Sequence, residues 1–378
     1  MKNSIFCFVD YFRPGYKAGG SVTAIYSLIN TITQYNFILF TRNHDKGDRR
    51  TYTNEETNPF QKENIHIFYG FSIFKIYKQL KKYPSTPIYL NSFFSYKYSI
   101  LWIALKKIQL IKNPIILAPR GELISEALEI KSQKKRIYLN LAHKLSFYKN
   151  VVFHSTTPLE TEEIQKNLKS MMISYKSIIE APELLYLDKP KTIKNNSQKC
   201  LKIVFLGRIH PIKNLTQAIR ILHESKLDFI FDIYGPEDEK SPHYKTTCEN
   251  LITQLNLESK IKFRGAINPS EISKTFEQYD FLLAPSQSEN FGYFIIEAMM
   301  SGLLPIVSSN TPWTFLKNEP FACIFDLNRQ ADAVSFLRDI TSLNPDQILK
   351  LKLLSSHFAE AYVRNNNPIE KYKLLFYQ

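Results

Sequence analysis

The sequence predicts an α/β protein made of two doubly wound parallel sheets, one after the other, and three observations carry that reading. Short β-rich runs alternate with longer helical stretches along the whole chain, the order that parallel strands with crossover helices require. The series restarts at Lys202, beyond a polar stretch from Asp188 to Lys199 that holds a proline and no apolar periodicity. A length of 378 residues suits two domains at roughly 150 residues each.

The first series of strands is Ile5–Val9, Phe37–Phe40, Ile65–Phe68, Ile88–Leu90, Ile115–Ala118 and Val151–His154. The second is Lys202–Leu206, Phe229–Tyr234, Ile261–Phe263, Phe281–Ala284 and Leu304–Val307. Several are continuous apolar runs, the pattern of strands buried on both faces. The tail carries Phe358, Tyr362, Tyr372, Leu375 and Phe376 at near-helical spacing, interrupted by Asn365–Pro368. The expected domains are residues 1–190 and 200–355, with a last helix over about 360–378. No internal repeat or low-complexity tract is visible.

Apolar residues at 44% and charged residues at 22% exclude disorder, collagen and coiled coil. Lys and Arg number 49 against 35 Asp and Glu, a net charge of +14. Residues 1–190 hold 27 of these cations and 15 of these anions, so nearly all the excess is N-terminal. The two halves therefore face different partners, an extended anionic one for the first and something small for the second. Cys7, Cys200, Cys248 and Cys323 are scattered, without the short Cys or His spacings of a zinc site, which reads as reduced thiols, a cytoplasmic protein and no metal.

Before Asp10 the apolar run Ile5–Val9 is too short for a signal-peptide core. Ser21–Thr41 and Ala298–Leu316 lack charge and approach the ~20 residues of a membrane span. The first, however, holds nine Ser, Thr, Asn or Gln residues, and the second holds Gly302, Pro305 and Pro312, which would leave backbone groups unpaired in lipid. A soluble or peripheral protein is expected.

Ligands of open parallel sheets sit beyond the C-terminal ends of the strands, so the residues after each run matter most. After Leu206, Gly207 and Arg208 lead to Lys213 and Asn214, two cations bracketing a loop that enters a helix, suited to a diphosphate without metal. After Ala284 come Glu289, Asn290, Phe291, Gly292 and Tyr293, with a helix expected from about Tyr293 whose first N–H groups form an anion site. Glu297 falls one turn inside it, within reach of a ribose diol, although two carboxylates at this spacing also suit a solvated surface. After the first strand, Gly19 and Gly20 precede Ser21, a candidate N-cap; the loop lets backbone meet phosphate or is a plain turn. It fits neither Gly-x-Gly-x-x-Gly nor a P-loop. After Leu117, Arg120 would bind an anionic acceptor or pair with Glu126, and His154 reads as a satisfied structural group.

These residues resemble the retaining glycosyltransferases of family 4, whose GT-B architecture places two Rossmann-like domains facing each other. Glu289 and Glu297 with the intervening Asn-Phe-Gly-Tyr look like the E-x7-E donor motif, Gly207-Arg208 with Lys213-Asn214 like the diphosphate loop, Gly19-Gly20 like the N-terminal glycine pair, and Pro119-Arg120-Gly121 like an acceptor-side tripeptide. The resemblance implies a nucleotide-diphosphate sugar as co-substrate, with no further cofactor. Arg208 and Lys213 would hold the diphosphate, Glu297 the ribose, and Glu289 the transferred sugar beside the backbone of Asn290 to Tyr293. The C-terminal domain would take the nucleotide, the N-terminal domain a saccharide or polyprenol-linked saccharide acceptor, and the last helix would pack back on the N-terminal domain. Cell-surface polysaccharide or lipopolysaccharide synthesis is the implied setting. Several relatives with lipid acceptors have His where Arg120 stands, which leaves open the side chain that assists at the reacting centre.

Three rival readings weigh less. Sugar-nucleotide epimerases share the fold but lack the Glu-x7-Glu context. A nucleic-acid-binding protein would suit +14, but the cations are dispersed and no recognised nucleic-acid module is present. A non-catalytic relative need not have kept Arg208, Lys213, Glu289 and Glu297 together. Cationic stretches at Lys78–Lys82 and Lys131–Arg136 suit peripheral contact with the anionic inner face of a membrane.

Overall fold

The computed structural model describes residues 3–70, 72–124, 128, 132–186, 193, 200–238, 241–365 and 368–377. The chain forms two compact units, Met1–Tyr186 with Asn366–Gln378, and Leu187–Asn365. Of the polar stretch Asp188–Lys199, only Ile193 lies within the described residues.

The first unit is built on seven parallel strands: β1 (Ser4–Phe8), β2 (Asn36–Thr41), β3 (Ile65–Tyr69), β4 (Ile88–Leu90), β5 (Ile115–Leu117), β6 (Val151–Ser155) and β7 (Ser177–Glu180). Their order is β3-β2-β1-β4-β5-β6-β7. Around them lie α1 (Gly20–Thr31), α2 (Ile73–Lys82), α3 (Leu101–Lys107), α4 (Ser132–Lys144) and α5 (Pro158–Ser170). The continuous apolar run of β1 follows from burial on both faces. Phe6 and Phe8 join Ile38, Phe40, Leu80 and Trp102 on one side, while Ile5 and Cys7 join Ile25, Ile29 and Phe37 on the other. Strand β7 was not expected from the sequence. It is a half-buried edge with only two apolar residues, too weak a run to stand out.

The second unit has β8 (Leu201–Leu206), β9 (Phe229–Tyr234), β10 (Ile261–Gly265), β11 (Phe281–Ala284), β12 (Leu304–Ser308) and β13 (Cys323–Phe325), all parallel in the order β10-β9-β8-β11-β12-β13. Its helices are α6 (Leu215–Ser225), α7 (Tyr244–Gln254), α8 (Pro269–Phe276), α9 (Tyr293–Met300), α10 (Ala331–Thr341) and α11 (Pro345–Asn365). The three-residue β13 also escaped the sequence reading. The chain then returns to the first unit as α12 (Ile369–Phe376), whose Tyr372, Leu375 and Phe376 are buried against Ile5, Phe37 and Tyr89. The fold is therefore the predicted α/β pair of doubly wound sheets, in which strand order reverses between β1 and β4 and again between β8 and β11.

The first uncharged stretch splits into α1 and β2, and the second into the end of α9 and β12. Among the described residues no helix is long and apolar enough to cross a membrane. All four cysteines are free, three of them buried.

Candidate functional site

A reversal of strand order opens a crevice at the C-terminal strand ends, because the loops on either side turn away in opposite directions. In the second unit that place lies between the loops after β8 and β11, and Gln287 N donates to Ile212 O across them at 2.7 Å. The β8 loop makes one 3-10 turn, Pro211–Lys213, capped by His210, whose Nδ1 accepts from Ile212 N at 3.1 Å. Ring nitrogens accept only when unprotonated, so Nδ1 bears no hydrogen here.

Lys213 and Glu289 meet in this crevice. Lys213 Nζ donates to Glu289 Oε1, which also accepts from Ser286 Oγ at 2.7 Å. Both side chains are largely buried, at 14% and 9% exposure. The lysine stem passes beside Gly207, where a Cβ would lie 3.7 Å from Lys213 Cε. Arg208 reaches the other way, its Nη1 donating to the buried Asp238 just after β9.

The strand ends themselves are stripped of side chains. Gly207, Gly235 and Gly265 stand side by side at the ends of β8, β9 and β10, joined by Gly207 N to Tyr234 O at 3.0 Å and Gly235 N to Gly265 O at 2.8 Å. At Gly235 (φ +146°) a Cβ would fall 1.8 Å from the carbonyl oxygen of Gly207, so no other residue fits. A flat edge of this kind lets a ligand approach the backbone.

Helix α9 begins at Tyr293, as expected, with Gly292 as its cap at φ 80° and ψ 58°. That left-handed turn would put a Cβ 2.9 Å from Ile295 Cδ1. The glycine cap brings no side chain to the helix start, whose polarity favours anions there. Phe291 and Tyr293 are buried, their rings 4.9 Å apart, and Trp313 Nε1 donates to Phe291 O at 2.6 Å. These aromatics fix the loop, leaving its backbone and the half-buried Asn290 as its offering. Glu297 is half-buried on the second turn of α9.

A cleft of about 350 Å³ adjoins the ends of β9 and β10, lined by Tyr234, Ala266, Ile267, Glu271, Lys274 and Gln278. The sequence reading missed it, along with Asp238 and Ser286. The signal was there in Gly235-Pro236 directly after an apolar strand. Among the described residues, no three His, Cys, Asp or Glu side chains are grouped as a metal site needs.

In the first unit the Gly19–Gly20 turn caps α1 from Gly19 (φ 72°), and Ser21 lies inside the helix instead of capping it. Asp45 holds the loop before it, accepting from Tyr16 N at 2.8 Å and Lys17 N at 3.2 Å. The turn meets Arg120 indirectly: Asn91 Nδ2 donates to Ser21 O at 3.3 Å, and Asn91 Oδ1 accepts from Arg120 Nε at 2.7 Å.

Arg120, expected to meet an anionic acceptor, turns inward with 8% of its side chain exposed. It pairs with the buried Glu183, while Glu126, the partner considered from sequence, lies outside the described residues. Arg120 Nη2 donates to Tyr89 Oη at 2.9 Å, Tyr89 Oη to His154 Nδ1 at 2.8 Å, and His154 Nε2 to Ala181 O at 2.8 Å. Burial and the adjacent guanidinium push the His154 pKa down to about 3, so the ring is neutral. Gly121 N and Thr156 both donate to Glu160, whose pKa burial raises. The Pro119-Arg120-Gly121 segment is thus held by Asn91, Tyr89, Glu183 and Glu160.

Residues 188–314, covering the crevice, match the family described as Glycosyl transferases group 1. Sucrose-phosphate synthase from Thermosynechococcus elongatus superposes with a TM-score of 0.70 at 15% identity, over 99% of both chains. HepE of Anabaena, solved with UDP and glucose, gives 0.70 at 15% identity over 98% of this chain and 99% of that one.

The protein has the GT-B fold.

Among curated proteins, this GT-B chain is 28% identical over 133 residues to the GtfA subunit of the UDP-N-acetylglucosamine–peptide N-acetylglucosaminyltransferase of Streptococcus pneumoniae serotype 4. That match covers 34% of this chain and 25% of the relative. The chain spans between about a fifth and a half of the length of the curated relatives it first matches.

Proposed function

We propose that this GT-B protein is a retaining glycosyltransferase that moves a sugar from a nucleotide-diphosphate sugar to a lipid-linked saccharide acceptor in cell-surface polysaccharide synthesis. What carries the reading is the meeting of Lys213, Glu289 and the glycine-capped start of α9, whose Phe294 ring lies 5.4 Å from Lys213 Nζ, at the strand-order reversal. Lys213, Arg208 and the α9 N–H groups take the two phosphates, whose charge grows on the leaving group as the bond to the sugar breaks. This electrostatic set does the work without a metal, so activity persists in EDTA; loss that Mg²⁺ restores would overturn that part.

Glu297 holds the ribose, and the cleft beside Tyr234 and Ile267 takes the base. Glu289, close to Lys213, lies beside the transferred sugar with the backbone of Asn290 to Tyr293. In transfer with retention, the C1–oxygen bond to the diphosphate breaks while the acceptor oxygen bonds to C1 on the same face. The departing phosphate oxygen accepts the acceptor's proton, so no separate base is required. The first unit, with its basic excess, takes the acceptor at the cytoplasmic face of a membrane.

The test is a thermal-shift screen of UDP, GDP, ADP and their sugars. UDP comes first because the HepE structure holds UDP and the GtfA relatives are named for a UDP-sugar. A nucleotide at 100 times its Kd adds about 2.7 kcal/mol of stability. No shift with any of them, and no hydrolysis of the sugar nucleotides, would remove the proposal.

A further inference from the structure

The loop from Pro285 to Gly292 carries Glu289 and the cap of α9, and neither a ladder nor a helix pairs its backbone. A carbonyl in so irregular a segment finds its partner in a side chain or in water. The chain after β12 supplies three side-chain donors in succession. Ser308 Oγ donates to Ser286 O, Asn310 Nδ2 to Gln287 O at 3.0 Å, and Trp313 Nε1 to Phe291 O at 2.6 Å. The last of these is held rigidly. Trp313 is 1% exposed, and its ring packs at 5.3 Å on Phe291, at 5.5 Å on Phe315 and at 5.2 Å on Tyr362 of α11. Phe315 and Tyr362 in turn lie parallel, 5.7 Å apart. An indole wedged among three rings keeps its N–H aimed at one carbonyl. The fit is close at the cap as well, where a Cβ on Gly292 would lie 3.6 Å from Trp313 Nε1.

We propose that Trp313 is a positioning residue for the transferred sugar: its N–H fixes Phe291 O, and with it the backbone of Asn290 to Gly292, in the arrangement that receives the sugar, while Ser308 and Asn310 fix the start of the same loop. The inference rests on the reading of Glu289 and this loop as the sugar side of a donor site. Two observations set it apart from plain core packing. A ring that only filled space would serve without an N–H, yet this N–H is spent on a carbonyl of the loop. Asn310 is exposed and fills no core, yet it bonds the same loop in the same way. Binding groups carried on irregular backbone need such support, because a displacement of about 1 Å at a reacting group can cost up to about 100-fold in rate.

The experiment compares the full chain with Trp313→Phe, which keeps a ring beside Phe291, Phe315 and Tyr362 and removes the N–H, and with Asn310→Ala at the surface. The probes are UDP-glucose, UDP-N-acetylglucosamine, GDP-mannose and ADP-glucose, with the free diphosphates UDP, GDP and ADP. Hydrolysis of the sugar nucleotides gives kcat and KM, and calorimetric titration gives the affinity of the free diphosphates. Trp313→Phe is expected to lower kcat by about 10- to 100-fold, and Asn310→Ala by less. Affinity for the free diphosphate is expected to hold, because Arg208 and Lys213 are untouched. Tryptophan emission of the wild type is expected to respond to the sugar nucleotide, and the response to vanish in Trp313→Phe, whose remaining Trp102 is buried in the first unit. Unchanged kcat in both variants, an emission response that survives in Trp313→Phe, or loss of kcat and diphosphate affinity in step with a lower urea midpoint would overturn the inference and leave Trp313 as packing. A wild type that neither binds nor hydrolyses any probe would remove the donor-site reading, and this inference with it.

Discussion

Lys213 and Glu289, 76 residues apart in sequence, share a charge-assisted hydrogen bond between the loops leaving β8 and β11. The pair balances two largely buried charges, and a bound diphosphate would exchange one anionic partner of Lys213 for another. Lys213→Ala removes a bond to a charged group worth roughly 1.5–3 kcal/mol, which is about 10- to 150-fold in nucleotide affinity. Arg208→Ala is expected at the weaker end, because its side chain is 37% exposed and already tied to Asp238. Calorimetric titration of the best nucleotide measures both; unchanged affinity in both variants would place the donor elsewhere.

Glu289 and Glu297, eight residues apart, occupy different surroundings. Glu297 rises from the second turn of α9, and the ribose contact proposed for it would be alike in ground and transition states, so Glu297→Gln is expected to raise KM and leave kcat nearly unchanged. Glu289 lies beside Lys213, and in the proposed reaction charge would develop near it, so Glu289→Gln is expected to lower kcat. Because the change also releases Lys213, affinity for the free nucleoside diphosphate is expected to hold or tighten. Purely KM-type losses of equal size from both variants would contradict this division.

The sheets were legible in the sequence because buried parallel strands leave uninterrupted apolar runs, as in Phe229–Tyr234 and Phe281–Ala284, which the structure reproduces residue for residue. Strands β7 and β13 were not, since a short or half-buried edge carries too few apolar residues to rise above its neighbours. Strand-end loops pointed to Arg208, Lys213 and Glu289, but spacing could not show that Lys213 and Glu289 touch, because that depends on which strands are adjacent. Nor could it show that Arg120 turns inward: its partners come from two distant segments, Tyr89 and Asn91 at the end of β4 and Glu183 after β7.

Gly235 and Gly265 separate close approach from backbone preference. Gly265 (φ +77°) has open space around a Cβ, so Gly265→Ala costs only the roughly 1–2 kcal/mol of a left-handed backbone. Gly235→Ala drives a methyl into the Gly207 carbonyl, and backbone on backbone does not yield. Its loss of stability is expected to exceed the roughly 0.5–3 kcal/mol of ordinary substitutions. Denaturant midpoints for the two variants provide the measurement, and similar midpoints would show that the strand ends are free to separate.

His154 makes the first unit acid-sensitive in a defined window. Its folded pKa, about 3, lies below the ordinary 6.5, because burial and Arg120 oppose the charged ring. Stability from the neutral ring is therefore complete above pH 6.5 and is lost as pH falls toward 3, since only the unfolded chain takes the proton. Glu122 and Glu160, whose pKa values burial raises, act in the opposite sense at lower pH. Comparison with His154→Gln cancels their effect, since the amide retains a donor for Ala181 O and does not titrate. The wild type is expected to be more stable at pH 7, with its advantage shrinking by roughly 2 kcal/mol at pH 5. Urea midpoints at both pH values read this difference. A constant gap would mean that the ring is protonated in the fold or that Arg120 does not hold it neutral.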